Sequence, residues 1–78
     1  MSVFEQYKES FVNALHLDSE VQVEALSYRD HGWDSVAHMV LMATLEEAFD
    51  IMLDTDDVID FSSFEKGKEI LRKYDVEL

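Results

Sequence analysis

The sequence has 78 residues, 47% of them hydrophobic, which is enough for one core, so we expect a single domain over residues 1–78. It contains no Cys, which excludes disulfides and thiolate metal sites. The formal net charge is −12, and no Lys or Arg occurs between Asp30 and Glu65. This charge disfavours nucleic-acid binding and favours partners with basic docking surfaces.

The hydropathy pattern gives no sign of a membrane or export segment. No apolar run approaches the roughly 18 residues of a membrane span, and no basic and then apolar leader opens the sequence. We therefore expect a cytoplasmic protein that does not enter the membrane, and we expect it to be a monomer.

The first predicted element is a helix over residues 3–16. Ser2 and Glu5 have the spacing of a capping box, which marks its start. Apolar residues then recur at intervals of three and four, the period of an amphipathic helix. They are Phe4, Tyr7, Phe11, Ala14 and Leu15.

A long connection over residues 16–33 follows. Val21, Val23, Leu26 and Tyr28 are spaced along it, and they make it too apolar for a free linker. Loops of this length without regular structure are uncommon in compact domains and are often functional. We expect these four side chains to pack across the helices.

The second helix is predicted over residues 35–51, with Asp34 as its N-cap. His38 lies on the core-facing arc of this helix, where its ring is expected to be packed and to hydrogen-bond a loop carbonyl. The other core-facing positions are Leu41, Met42, Leu45, Phe49 and Met52.

Two more helices complete the prediction. Asp54 or Thr55 caps a short helix through Asp60, and Ser62 with Glu65 has capping-box spacing at the start of the last helix. The apolar stripe of the last helix comprises Phe64, Ile70, Leu71 and Tyr74.

The predicted fold class is all-α, a four-helix bundle with a long loop between helices 1 and 2 and a short third helix. Gly67 is expected to be a local weak point of the last helix, because Gly is a poor helix former.

The acidic residues before and within the third helix invite a metal-site interpretation. Asp54, Asp56, Asp60 and Glu65 occupy positions one, three, seven and twelve of a calcium loop, but positions five and six hold apolar residues instead of an oxygen ligand and Gly. We therefore expect no metal site and interpret the acids as favourable charges at a helix start. A divalent-ion binder remains an alternative, with the ligands Asp54, Asp56, Asp57 and Asp60.

A catalytic interpretation is also weak. Asp34, Ser35 and His38 supply the residue types of a hydrolytic triad, but the sequence has no G-x-S-x-G elbow. A small helical domain also has little room for a pocket that encloses a substrate. We therefore expect a protein that is not an enzyme.

The four predicted helices, the long first loop and an Asp-Ser pair at the start of the second helix together resemble the acyl carrier protein family. The family motif is Asp-Ser-Leu, and this chain has Asp34-Ser35-Val36. The similarity continues through LMATLEEAFDIML, residues 41–53, which resembles the acidic second helix of the family and its exit. The resemblance covers nearly the whole chain.

The resemblance implies a modified carrier. In that family the Ser carries 4′-phosphopantetheine, installed from coenzyme A by a separate transferase, so Ser35 is the implied attachment site. Asp34 is implied to help the transferase hold Mg²⁺. The arm carries an acyl or aminoacyl group as a thioester between ligases or synthases. Val36 in place of the usual Leu departs from the fatty-acid type, while Trp33 before the Asp-Ser pair and His38 three residues after Ser35 are similar to those of stand-alone carriers in specialised biosynthesis.

The residues themselves suit this chemistry. A helix N-terminus projects the hydroxyl of Ser35 outward, and the free N–H groups there favour a phosphodiester. The alternative is an acidic helical adaptor that docks basic partners without a prosthetic group, in which Ser35 is an ordinary residue of the helix start.

The second helix also has an apolar stripe opposite its core face. We call this stripe and its acidic neighbours the docking strip, which comprises Val36, Val40, Ala43, Glu46 and Glu47. We expect partner enzymes to place an apolar patch ringed by Arg or Lys against it. The alternative is that these are scattered exposed apolar residues without a function.

Overall fold

The computed structural model describes residues 2–18 and 20–78. Within them it contains four α-helices, which confirms the all-α, four-helix prediction. Two single 3₁₀ turns, Val23–Ala25 and Asp30–Gly32, lie in the long loop between the first two helices. The helices are α1 Val3–Leu15, α2 Ser35–Phe49, α3 Thr55–Asp60 and α4 Phe64–Arg72.

The predicted start of α1 is confirmed. The Oγ of Ser2 accepts a hydrogen bond from the backbone N–H of Glu5 at 3.1 Å, so the N-cap is local to the sequence. The helix ends at Leu15 because His16 adopts a left-handed conformation with φ 53°, and its N–H returns to the carbonyl of Val12.

The long loop packs on the helices as its apolar residues predict. Val23 and Leu26 are buried, and Tyr28 is half-buried against the core. The loop also pairs with the segment before α4, through one antiparallel bridge between Ser27 and Ser63.

This bridge corrects the predicted start of α4. The N–H of Tyr28 donates to the carbonyl of Ser62 at 2.8 Å, and the N–H of Phe64 donates to the carbonyl of Leu26 at 3.0 Å. Extended backbone therefore continues through Ser63, whose Oγ caps the helix by accepting from the N–H of Lys66 at 3.0 Å. The prediction of Ser62 as the cap was wrong by one residue, because the pairing partner is distant in sequence.

The end of α2 corrects one core assignment. The helix stops at Phe49 because Asp50 is left-handed, with φ 53°, two residues before the predicted end. Met52 therefore lies beyond the helix and is 85% exposed, so its assignment to the core was wrong. Leu41, Met42 and Leu45 are buried as predicted, and Phe49 packs on the core while half-buried.

Aromatic rings fill the centre of the core. The ring of Phe11 lies 5.1 Å from that of Tyr7, 5.4 Å from that of Trp33 and 5.1 Å from that of Phe64, measured between centroids. The Oη of Tyr7 donates to the carbonyl of Phe64 at 2.7 Å, which satisfies the one polar atom that this ring buries. Burial raises the pKa of Tyr7 well above its ordinary value.

The short helix α3 begins after Asp54, as predicted, although the Asp54 side chain makes no capping bond. Two residues directly after α4 hold it in place. Lys73 Nζ donates to Asp57 Oδ1 and Tyr74 Oη donates to Asp57 Oδ2, each at 2.5 Å. Tyr74 Oη also accepts from the N–H of Asp54 at 3.0 Å. The position of α3 therefore depends on these polar contacts as well as on apolar packing.

None of the helices in the described residues has both the length and the apolar character that crossing a membrane requires.

Candidate functional site

Ser35 is the first residue of α2 and its side chain is exposed. The preceding residue, Asp34, caps the helix, since its Oδ1 accepts from the N–H of Ala37 at 2.9 Å. The carbonyl of Asp34 accepts from the N–H of His38 at 2.7 Å. The N–H groups of Ser35 and Val36 have no acceptor within the helix, so they remain free for an external anion.

The backbone before Ser35 is held in an unusual conformation. Arg29 has φ 87° and His31 has φ 49°, and both are left-handed conformations that residues other than Gly rarely adopt. Gly32 follows with φ 81°. The N–H of Arg29 donates to the carbonyl of Trp33 at 2.8 Å, which closes this turn directly before the Asp-Ser pair.

A cleft of ≈ 390 Å³ opens beside Ser35, between α2 and α3. Its lining is mostly apolar, with Met39 from α2 and Ile59 from α3 exposed at 59% and 72%. The remaining lining residues are Tyr28, His38, Val58, Phe61 and Ser62. The cleft would place an apolar group next to any group attached to the Ser35 hydroxyl.

His38 packs as predicted, but the carbonyl that it meets belongs to a helix. Its Nε2 lies 2.7 Å from the carbonyl of Val58 in α3, and its Nδ1 accepts from Trp33 Nε1 at 2.9 Å. Both ring nitrogens are therefore engaged, and neither is free to activate Ser35 as a triad base would. Because Asp34 is engaged as the helix cap, the triad interpretation has no geometric support.

The acidic segment does not have the geometry of a calcium loop. Thr55–Asp60 is helical, whereas a calcium loop must wrap around its ion, and the carboxylate of Asp57 is already bound by Lys73 and Tyr74. Within residues 2–18 and 20–78 no group of three or more His, Cys, Asp or Glu is arranged to hold a metal ion. The alternative of a divalent-ion site there lacks support.

Four of the five residues of the docking strip are exposed. Val36 and Val40 are exposed at 72% and 47%, and Ala43 and Glu47 are exposed as well. Glu46 is half-buried, and its Oε2 accepts from the N–H of Leu53 at 2.9 Å, so this carboxylate stabilises the turn after α2.

Two exposed apolar residues beside Ser35, Met39 and Ile59, were not predicted from the sequence. A helical-wheel projection could have identified Met39, since it lies one residue after the core-facing His38 and one turn after Val36. Ile59 could be placed beside Ser35 only once the packing of α3 against α2 was known.

The chain matches the family described as "Phosphopantetheine attachment site" over residues 8–66. This span begins in α1, ends in α4 and includes Asp34 and Ser35. Comparison with curated proteins and with solved structures gives no match. The matched domain is the one to which 4′-phosphopantetheine is covalently attached. The free N–H groups and the exposed hydroxyl at the start of α2 fit that group. The chain therefore belongs to the acyl carrier protein family and is a phosphopantetheine-bearing carrier.

Proposed function

We propose that the chain carries an acyl or aminoacyl group as a thioester on a 4′-phosphopantetheine arm attached to Ser35, and delivers it to partner enzymes of a specialised biosynthetic pathway. The observation that carries this proposal is the exposed Ser35 hydroxyl at the N-terminus of α2, beside an apolar cleft. We further propose that it acts as a cytoplasmic monomer and is not itself an enzyme.

The residues around Ser35 position the hydroxyl and the phosphate, while the arm and the transferase supply the chemistry. When bound, the arm supplies a flexible thiol terminus that holds the carried group. Ser35 supplies the hydroxyl oxygen of the phosphodiester bond, while a transferase supplies the base and the metal ion. The two free N–H groups at the start of α2 stabilise the phosphate charge, and Asp34 keeps the first turn formed. Asp34 is also exposed, so it can contribute to Mg²⁺ binding within the transferase complex.

Partner recognition is proposed to use the docking strip. Val36 and Val40 present apolar surface within one turn or two of Ser35, and Glu47 adds negative charge at the far end. Enzymes that handle the arm must approach the end of α2 that carries Ser35. A partner with an apolar patch ringed by Arg or Lys fits this arrangement, because opposite charges steer association. Glu46 contributes less to this surface, since its carboxylate is engaged by Leu53.

The pathway assignment is supported by the sequence around the site. Trp33 before Asp34-Ser35, and His38 three residues after Ser35, are similar to those of stand-alone carriers paired with dedicated ligases or synthases. The structure gives these two residues a joint role, because Trp33 Nε1 donates to His38 Nδ1 at 2.9 Å. The carried group is supplied by an enzyme that activates a carboxylic acid or an amino acid, since a thioester requires an activated acyl donor.

The direct test is incubation of the purified protein with coenzyme A, Mg²⁺ and a broad-specificity phosphopantetheinyl transferase, followed by intact-protein mass spectrometry. We expect the protein to gain the mass of one phosphopantetheinyl group. Ser35→Ala should fold and gain nothing, because Ala costs little at a first helical position. Ser62→Ala is the matched control, since Ser62 is an exposed Ser that lines the same cleft, and it should be modified fully. An adduct on Ser35→Ala, or none on the wild-type protein, contradicts the assignment of Ser35.

A further inference from the structure

His38 lies where three parts of the chain meet. It sits in the first turn of α2, it accepts from the indole of Trp33 in the preceding loop at 2.9 Å, and its Nε2 contacts the carbonyl of Val58 in α3 at 2.7 Å. Since His38 also lines the cleft beside Ser35, these contacts place it between the attachment residue and the interior of the bundle.

The two hydrogen bonds fix the state of the ring. An indole N–H can only donate, so Nδ1 of His38 must be its acceptor and carries no proton. The proton is therefore on Nε2, which donates to the carbonyl of Val58. Val58 is among the last four residues of α3, whose carbonyls have no acceptor role inside the helix. His38 thus satisfies a carbonyl of α3 and joins that helix to α2.

Aromatic rings surround His38 and close the floor of the cleft. The centroids of Tyr28, Trp33 and Phe61 lie 5.6, 5.9 and 6.1 Å from that of His38. Trp33 and Phe61 belong to the fully buried core, while Met39 on the open side of the cleft is exposed. To pass from the cleft into the core, a chain would have to break the His38–Val58 bond and separate these rings.

We propose that His38 is a positioning residue that closes the interior of the bundle to the group carried at Ser35, so that an apolar acyl chain lies in the surface cleft and does not pass beyond His38 into the buried core. This proposal rests on the proposed function, in which Ser35 bears the arm. Its consequence is that the carried group stays accessible to partner enzymes, and that the stability of the carrier depends little on the length of the chain.

The experiment places apolar chains at position 35 without a transferase. The sequence has no Cys, so Ser35→Cys introduces a single thiol. Its thiolate attacks the thiosulfonate sulfur of a methyl, hexyl or decyl methanethiosulfonate, forming a disulfide and releasing methanesulfinate. Two readouts are compared across the three lengths, the melting temperature by circular dichroism and the indole ¹⁵N–¹H resonance of Trp33, which is the single Trp of the sequence.

With His38 present, we expect the indole resonance to be the same for the three chains, because its hydrogen bond to Nδ1 is undisturbed. We expect the melting temperature to differ by no more than about 2 °C between the methyl and decyl proteins. In the His38→Ala background a space opens toward the core. The increase in melting temperature from the methyl to the decyl protein should then exceed the increase seen with His38 present by about 5 °C or more. His38→Gln is the matched control, because its amide can accept from Trp33 and donate to Val58, and it should behave as the His38 protein does.

Two results would overturn the proposal. One is an indole resonance that moves progressively with chain length while His38 is present, which would mean that the chain reaches the core. The other is an equal increase in melting temperature with His38 and with His38→Ala, which would mean that a residue other than His38 limits how far the attached chain enters the bundle. If His38→Ala does not fold, the resonance of the His38 protein decides the question alone. Because the chains are attached chemically, absence of a phosphopantetheinyl adduct would contradict the proposed function without affecting this test.

Discussion

Tyr7 in α1 and Gly67 in α4 lie against each other so closely that a Cβ at residue 67 would overlap the hydroxyl oxygen of Tyr7. The same Cβ would overlap the ring of Phe61. Gly67 is buried and its backbone adopts an ordinary helical conformation. What requires Gly at this position is therefore the closeness of two neighbouring side chains, and the view of Gly67 as a weak point of the helix missed this packing role.

The first prediction reverses the usual effect of replacing Gly in a helix. In a solvent-exposed helix Gly→Ala stabilises by about 1 kcal/mol, but here Gly67→Ala should destabilise by about 1–3 kcal/mol, because overpacking shifts the neighbours. The measurement is urea unfolding of both proteins. Tyr7→Phe removes one of the three overlapping atoms, so the double variant should lose less than the sum of the two single variants. An additive double variant, or a stabilised Gly67→Ala protein, would show that the contact is absent.

The second prediction concerns the core. Phe11→Ala should lower the free energy of unfolding by about 3–5 kcal/mol, because its ring is fully buried among Tyr7, Trp33 and Phe64. Met52→Ala should change it by less than about 0.5 kcal/mol, since Met52 is 85% exposed. Phe49→Ala should fall between the two. Chemical denaturation ranks the three variants, and a large loss at Met52 would place that side chain in the core after all.

The third prediction is a dependence of stability on pH that arises at Asp57. Hydrogen bonds from Lys73 and Tyr74 hold the pKa of Asp57 below its ordinary value of 3.8. A lowered carboxyl pKa adds stability that is present above pH 3.8 and is lost as the pH falls through the folded-state value. The difference in stability between wild type and Asp57→Asn should therefore be largest near neutral pH and should shrink below about pH 4.

Asp56→Asn is the matched control for this titration. Asp56 lies beside Asp57 in the first turn of α3, and Asp56→Asn removes the same charge as Asp57→Asn. Unlike Asp57, Asp56 is exposed. Its effect on stability should be small at every pH. Tyr74→Phe removes one of the two donors and should cost about 1 kcal/mol near neutral pH. If Asp56→Asn and Asp57→Asn follow the same pH profile, the contacts of Asp57 with Lys73 and Tyr74 do not set the position of α3.

The fourth prediction tests the docking strip. Val40→Glu should leave the melting temperature nearly unchanged, because Val40 is 47% exposed. It should lower kcat/KM for modification by the phosphopantetheinyl transferase on the order of tenfold, since the apolar contact is replaced by a charge that a partner must desolvate. Val3→Glu, the same change at an exposed position at the start of α1, is the control and should have little effect.

Charge reversal at Glu47 completes the test of this surface. Glu47→Lys should slow modification at low salt, and the difference from wild type should diminish as salt is raised. Glu69→Lys in α4 makes the same change of charge at another exposed position and should slow modification less. If Val40→Glu unfolds the protein, Val40 belongs to the core; if both docking variants are modified at the wild-type rate, the transferase binds elsewhere.

Features that depend on neighbouring residues could be predicted from the sequence, whereas features that depend on distant residues could not. The caps Ser2 and Asp34 were predicted correctly because each accepts from an N–H three residues ahead. Ser62 failed as a cap because the backbone there pairs with the loop around Ser27, a partner that no window of neighbouring residues contains. Met52 failed because one left-handed residue ended the helix and with it the period on which the core assignment depended.

At the candidate site, too, the local features were predicted and the features that depend on tertiary packing were not. The start of α2 at Ser35 is local and was predicted, whereas the cleft beside it needs α3, and the position of α3 depends on contacts of Asp57 with residues 16 and 17 positions later. The role of His38 was half predictable, since its arc on the helix is periodic. The carbonyl that it reaches, in Val58, is set by tertiary packing.

The single Trp of the sequence lies two residues before Ser35, fully buried, with its indole N–H hydrogen-bonded to His38 and 5.9 Å between the ring centroids. Light at the red edge of protein absorption excites Trp and spares Tyr, so the fluorescence of this protein originates at one known place. The protein therefore contains an intrinsic optical reporter two residues before Ser35, and any event that breaks the contact between Trp33 and His38 can be followed in real time without a label.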